Sequence, residues 1–303
     1  MTQPRIGIDL GGTKIEAVVL DAQGNECFRQ RLATPSGDYL ATLQAIVDLV
    51  AAARQVAGTA ATVGIGTPGA PSAVTGRMKN CNSTCLNDQL LQQDLEQRLG
   101  CAVRLANDAN CLALSEASDG AGQGAEVVFG VILGTGVGGG LVVNGRLLGG
   151  ANAIAGEWGH NPLPGLADEP QPWPRCYCGR SGCVEAFLSG PAMAAEHQRL
   201  HGGVPNMVLD AAAIAALAAQ GDAAALATLE RYATRLARAL AVVINIVDPQ
   251  VIVLGGGLSK IASLYTRVPQ RWLPWVFSDQ VTTRLLAARH GDASGVRGAA
   301  RLW

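Results

Sequence analysis

The sequence predicts an α/β fold made of two similar domains around a cleft, and three observations predict it. Two β-rich openings, one at the N-terminus and one near residue 127, each lead into helical stretches. Each opening breaks at a glycine-rich turn, Gly11-Gly12 in the first and Gly134 to Gly140 in the second, and a third run, Gly255-Gly256-Gly257, ends a later apolar strand. Strands and helices then alternate along the chain, the pattern that layers helices on a sheet. With 303 residues the chain is long enough to bury two cores.

Residues 6–9 form the first strand and the β-branched run 15–20 the second, with 27–32 as a third after the turn Asp21 to Asn25. Leu40, Leu43, Ile46, Val47 and Val50 recur at helical spacing in residues 39–53, a helix that ends near Gly58. Residues 62–66 read as a buried strand, and 90–99, 103–106 and 109–117 as helix, strand and helix. In the second half, 127–133 is a nearly unbroken apolar strand that resumes at 141–143 beyond the glycines, and Asn144-Gly145 suits a type I′ hairpin. Helices follow after Ser189, across 210–219 and across 222–246, where Asp248-Pro249 stops the run before strand 251–254.

Lys plus Arg (23) and Asp plus Glu (24) nearly cancel, so no charge excess draws the chain to nucleic acid or an anionic membrane. The start passes through Pro4 and Arg5 straight into a strand, without the apolar stretch of a secretory signal, and the apolar run 240–247 is too short to span a bilayer. Cys27, Cys81, Cys85, Cys101 and Cys111 are scattered without framework spacing, as thiols in a reducing compartment are. The expectation is a cytoplasmic protein.

The densest chemistry lies at Glu157-Trp158-Gly159-His160 and Cys176-Tyr177-Cys178-Gly179-Arg180-Ser181-Gly182-Cys183-Val184-Glu185. Glycines that let the backbone turn back allow Cys176, Cys178 and Cys183 to point three thiolates at one centre, and His160 can complete the tetrahedron of a closed Zn²⁺ site. The competing reading is a set of buried free cysteines acting as small hydrophobes. Four protein ligands leave no position for an activated water, so the zinc would be structural and would fix the neighbouring glutamates.

The glycine turns suggest phosphate. Asp9-Leu10-Gly11-Gly12-Thr13-Lys14 joins two strands, where glycines let backbone N–H groups approach an anion. It is neither a Walker loop nor a dinucleotide fingerprint, since both of those open a helix. Asp9 is placed to hold Mg²⁺ through water. One such loop alone reads as well as a hairpin with a glycine bulge; three together point to a nucleotide. Lys14 begins a strand and reads equally as a solvated edge residue.

Asp9-x-Gly-Gly-Thr-Lys14, Leu133-Gly-Thr-Gly-Val-Gly-Gly-Gly140, Gly156-Glu-Trp-Gly-His160 and Cys176-x-Cys-Gly-x-x-Gly-Cys183-x-Glu185 resemble, in order, the motifs of the ROK sugar kinases, within the actin-like ATPase (ribonuclease H-like) fold. Lys79 to Thr84, Leu105 to Cys111, Glu157 to Pro164 and His290 to Ala300 resemble more closely the bacterial fructokinases of the manno(fructo)kinase type. The resemblance covers essentially the whole chain. It implies a small domain over 1–121, a larger one over 122–289 containing the zinc knuckle, and a terminal helix within 290–303 that packs back on the first.

For chemistry the resemblance implies phosphorylation of D-fructose to fructose 6-phosphate by Mg²⁺-ATP, with glucose, mannose or an N-acetylhexosamine as the alternative substrate. ATP would lie on Gly11, Gly12, Thr13, Lys14, Leu133, Gly134, Thr135, Gly136, Gly138, Gly139, Gly140, Gly255, Gly256 and Gly257. Asp108 would be the general base, although at a strand-to-helix junction Asn107 or Asp108 can also simply cap the helix. Gly69, Asn82, Asn107, Asp108, Glu157, His160 and Glu185 would meet the sugar, His160 with one ring nitrogen on zinc and the other toward a hydroxyl. A homodimer is the expected assembly. The ROK family also includes transcriptional repressors; those carry an added helix-turn-helix for which residues before strand one leave no room. A zinc-stabilised sugar-binding module without catalysis is the other rival.

Overall fold

The computed structural model describes residues 3–202 and 209–303. The chain divides into two compact units, one of Met1–Gly124, Gly140–Ala155 and Asp292–Trp303, the other of Ala125–Gly139 and Gly156–Gly291.

In the first unit, β1 (Arg5–Leu10) pairs antiparallel with β2 (Lys14–Leu20), which pairs antiparallel with β3 (Glu26–Ala33). Helix α1 (Tyr39–Ala57) starts where Asp38 accepts a hydrogen bond from Ala41 N and stops at Gly58, whose φ of 78° an L side chain resists. β4 (Thr62–Thr67) runs parallel to β1, and β5 (Ala70–Pro71) and β6 (Met78–Lys79) make a separate ribbon. α2 (Leu91–Leu99) ends in a left-handed Gly100. β7 (Val103–Asn107) pairs parallel with β4 and passes directly into α3 (Asp108–Asp119). The sheet order is β3-β2-β1-β4-β7. β1 is buried along almost its whole length, as a strand covered on both faces must be. α1 is long and apolar enough to cross a membrane, but Leu43, Ile46, Leu49, Val50 and Ala53 pack into the core with Ile6, Ile8 and Ile65.

The second sheet contains β8 (Val127–Leu133), β9 (Val137–Val143) and β10 (Arg146–Leu147). Helices α4 (Glu185–Leu188), α5 (Gly190–His201), α6 (Ala211–Ala219) and α7 (Ala223–Val247) follow, then β11 (Val251–Gly255), α8 (Leu264–Arg267) and β12 (Arg284–Ala287). The order β10-β9-β8-β11-β12 repeats that of the first sheet: third, second and first strand of the half, then its fourth and fifth. α7 is anchored inside the second unit by Tyr232, whose hydroxyl donates to Leu188 O at 2.8 Å, and by buried Arg235, which pairs with Glu169 and Glu196.

Two boundaries differ from the sequence reading. Gly140–Ala155, assigned by sequence to the larger domain, clusters with the first unit: Leu147 packs on Ala106, Cys111 and Ala299, and a Cβ on Gly140 would lie 2.7 Å from Ala109 O. The terminal helix is short, α9 (Ser294–Ala299), preceded by a single 3₁₀ turn. Its seat is made by glycines. A Cβ on Gly7 would lie 2.2 Å from Val296 O, one on Gly64 2.0 Å from Ala299 O, and one on Gly298 1.7 Å from Cys111 O. Arg297 then donates to Gly24 O at 3.0 Å and to Asp119 at 2.7 Å.

Because the atom that opposes Gly298 is backbone, an added methyl group forces α9 off its seat. Gly298→Ala should destabilise the protein by about 2–3 kcal/mol in urea denaturation. Gly149→Ala, at a position with no atom within 4 Å, should change stability by less than about 0.5 kcal/mol.

Candidate active site

Asp9 stands near the end of β1, opposite Glu16 on β2 and Gly66 on β4. Two glycines make room for its carboxylate: Cβ atoms on Gly66 and Gly295 would approach it to 3.6 and 3.2 Å. Burial, and then the charges of Asp108 and Glu16, push the Asp9 carboxyl up to about 6, against the smaller opposing pull of Lys14. Both Asp9 and Asp108 also oppose ionisation of the buried Cys111 thiol, so the two carboxylates face one region of the unit.

At the β7–α3 junction the roles divide. Asn107 is the N-cap and accepts from Asn110 N at 2.8 Å, whereas Asp108 is the first helical residue, is exposed, and receives Ala109 N at 2.8 Å. The β1–β2 turn is closed by Gly11 N donating to Lys14 O at 3.0 Å and by Thr34 Oγ1 donating to Gly11 O at 2.7 Å. Gly12 and Thr13 line a cavity of about 350 Å³ together with Thr34, Asn82, Ser83 and Thr84. Lys14 stands on β2 beside buried Glu16 at 3.7 Å, where Arg29 and Arg31 also converge. Gly69 allows a different close approach from the one expected: a Cβ there would lie 2.4 Å from Lys79 O and 2.7 Å from Cys81 Sγ.

In the second unit, Gly134 N donates to Gly136 O at 3.0 Å and Gly190 N donates to Gly134 O at 2.8 Å. A cavity of about 440 Å³ is bounded by Gly134 and Thr135, by Gly190 and Pro191 at the start of α5, by Asp210 at the start of α6, and by Gly257. It brings together two of the three glycine loops. The α5 and α6 residues were missed by sequence reasoning, although Ser189 and Asp210 are legible as helix N-caps, and backbone N–H groups at such ends suit an anion.

Four of the expected loop glycines are strand residues. β9 starts at Val137, so Gly138, Gly139 and Gly140 lie within it. Gly139 is tight because a Cβ would lie 2.7 Å from the Phe129 ring and 2.8 Å from Trp158, and Trp158 Nε1 donates to Gly138 O at 3.0 Å. Gly255 closes β11, and Gly256, with φ 81°, packs its backbone on Leu133.

The knuckle folds as a pair of short bridges, Pro162 with Cys183 and Arg175 with Ser181, turning at Gly179 (φ 90°) and Gly182 (φ 80°). The candidate ligand atoms of His160, Cys176, Cys178 and Cys183 all lie within 4.8 Å of one another. Cys178 Sγ is 3.6 Å from Cys183 Sγ, and Cys176 Sγ is 3.5 Å from His160 Nδ1. The edges of a tetrahedron with zinc bond lengths are about 3.8 Å between thiolates and about 3.5 Å from thiolate to imidazole. The donor set and its spacing fit zinc.

Glu185, two residues after Cys183, reaches back to the glycine turn: Val137 N donates to its Oε2 at 2.9 Å, and a Cβ on Gly136 would lie 2.8 Å from the same oxygen. His160 departs from expectation. With Nδ1 turned to the thiols, its Nε2 is 2.9 Å from the hydroxyl of Tyr177, and the two rings meet edge to face at 5.1 Å. Burial, with Glu185, Cys176 and Glu157 behind it, raises that hydroxyl to about 12. Hydrogen bonds from Arg180 bring the Cys178 thiol down to about 6.

The same five-strand order occurring twice, with glycine turns at strand ends, defines a ribonuclease H-like α/β protein of the actin-like ATPase fold. The ROK family profile matches residues 5–303, and the chain belongs to the ROK family, as one of its sugar kinases. It is 43% identical over 300 residues to an N-acetyl-D-glucosamine kinase of Salmonella paratyphi B, covering 98% of each chain. Among solved structures it resembles a ROK hexokinase from Thermus thermophilus (30% identity, TM-score 0.85, 98% and 97% covered). It also resembles a ROK glucokinase from Streptomyces griseus in complex with glucose and AMPPNP (29% identity, TM-score 0.77, 99% and 98% covered). The Salmonella paratyphi B relative bears the name of an N-acetyl-D-glucosamine kinase, not of a fructokinase.

The raised Asp9 carboxyl yields a pH test. Its folded pKa of about 6 stands above the unfolded value of 3.8, so the unfolded chain loses this proton first and stability falls as pH rises from about 4 to 6. Asp9→Asn should therefore raise stability by about 2–3 kcal/mol at pH 7.5 without metal, with the gain vanishing near pH 3.5. Thermal melts across that range check it.

Proposed function

We propose that this protein is an ATP-dependent hexose kinase that uses Asp108 as general base to phosphorylate the hydroxyl on carbon six. The observation that carries the reading is the arrangement at α3: Asn107 is the N-cap, and Asp108, the first helical residue, presents an exposed carboxylate at the end of β7. As the sugar oxygen attacks the terminal phosphorus, its proton passes to Asp108, the bond from phosphorus to the bridging oxygen breaks, and ADP departs.

The 440 Å³ cavity at Gly134 and Thr135 is the candidate nucleotide site, and Gly11 to Thr13 are further phosphate candidates; the Streptomyces griseus relative, whose structure holds glucose and AMPPNP, supports ATP as the phosphoryl donor. Asp9 would hold Mg²⁺ through water, and the metal's charge would offset the repulsion that raises its pKa. The candidates to meet the hexose hydroxyls are Asn82, Asn107 and Asp108, and a second group, Glu157, His160 and Glu185. Zn²⁺ on His160, Cys176, Cys178 and Cys183 would fix the second group and take no part in the reaction. ATP and unoxidised thiols meet in the cytoplasm, which is the compartment this reading implies, and a homodimer is its expected assembly.

N-acetyl-D-glucosamine is the substrate the 43% identical relatives favour. Fructose is the second reading, carried by the runs Lys79 to Thr84 and Glu157 to Pro164. A coupled ADP-release assay on both sugars, glucose and mannose decides between them by kcat/KM. Asp108→Asn keeps the shape of the side chain but removes the proton acceptor. Turnover on the best hexose should fall by about 10² to 10⁴ while sugar affinity stays within a few fold. A variant that is folded and turns over at the wild-type rate excludes Asp108 as the base.

A further inference from the structure

Tyr177 lies between two cysteines of the candidate zinc site, and the residue is 76% exposed, yet its hydroxyl meets His160 Nε2. When His160 Nδ1 gives its lone pair to the metal, Nε2 must carry the ring's only N–H, and that hydrogen can serve one acceptor well. In the structure the Tyr177 oxygen lies 2.9 Å from Nε2, where it would accept that hydrogen. If His160 meets the hexose, the same N–H is what a sugar hydroxyl must reach.

We propose that Tyr177 is a positioning residue that occupies His160 Nε2 until a hexose hydroxyl displaces it. This inference rests on the reading of His160 as a sugar ligand. The side chain is suited to the task. Its hydroxyl mimics a sugar hydroxyl, it holds His160 in one tautomer while the site is empty, and its exposed ring can swing into solvent without opening the core. Glu185, a second sugar candidate of this unit, lies beside the same knuckle, its Oε1 3.7 Å from Cys176 Sγ. Hexose binding then exchanges one hydrogen bond on Nε2 for another, and the enzyme binds sugar more weakly than an unoccupied His160 would.

Tyr177→Phe keeps the ring and its edge-to-face contact but removes the displaced hydrogen bond. The expected result is a fall in hexose KM of about two- to tenfold, the worth of one neutral hydrogen bond, with kcat unchanged. Calorimetric titration of hexose without nucleotide should show the same gain, and zinc content should match the wild type. Tyr177→Leu should reproduce the gain and serves if the Phe variant does not fold. An unchanged KM and Kd overturn the proposal. So does a raised KM with zinc loss, which would mean that Tyr177 only braces the knuckle. A wild-type protein that phosphorylates no hexose overturns the kinase reading and this inference together, whereas an active wild type with an indifferent Tyr177→Phe overturns this inference alone.

Discussion

The hydrogen bond from Val137 N to the Glu185 carboxylate ties the knuckle to the start of β9, and the arrangement of candidate residues in the second unit depends on it. Glu185 opens α4 two residues beyond Cys183, so one side of its position is set by the knuckle. The other side is set by β9, whose first backbone N–H it receives beside Gly136. A glutamate held from two directions cannot follow either element alone. Under the proposed function the knuckle therefore does more than close a loop: it would determine where a candidate sugar carboxylate stands relative to the Gly136 turn. Trp158, with its indole N–H on Gly138 O, and Gly159, whose Cβ would lie 2.1 Å from Val137 O, clamp the same strand start from the His160 side.

The first unit is organised by absent side chains. α9 touches β1, β4 and α3 through Gly7, Gly64 and Gly298, and this seat brings Gly295 against the Asp9 carboxylate. Burying Asp9 beside Asp108 and Glu16 costs stability at neutral pH and leaves a carboxyl poised near 6, an arrangement that a bound cation would relieve. Such local cost, retained at a strand end next to a proposed base, is what function rather than packing would demand.

Most of the strands and helices were legible because their signals are local, whereas the short β5, β6, β10, β12 and α8 were not. The apolar runs of β1, β4, β8 and β11 are long enough to mark buried strands, and Leu40, Leu43, Ile46, Val47 and Val50 recur at helical spacing in α1. The knuckle was legible because its three cysteines fall within eight residues. The function of Gly138 to Gly140 was not. A missing Cβ serves a phosphate turn and a crowded strand equally well, and only the positions of Phe129, Trp158 and Ala109 distinguish them. Tyr177 escaped notice because its partner is 17 residues away and nothing about a tyrosine between cysteines specifies where its hydroxyl turns. The cavity at the starts of α5 and α6 likewise needs the tertiary arrangement that collects distant caps around one space.

The central claim is that a structural zinc positions the sugar-binding side chains, and removal of the metal tests it most directly. The purified protein should contain one zinc per chain; after chelation its hexose affinity, measured by calorimetry without nucleotide, should fall at least tenfold together with its melting temperature, and added zinc should restore both. A folded, zinc-free preparation that binds hexose as tightly as the untreated protein would contradict the account.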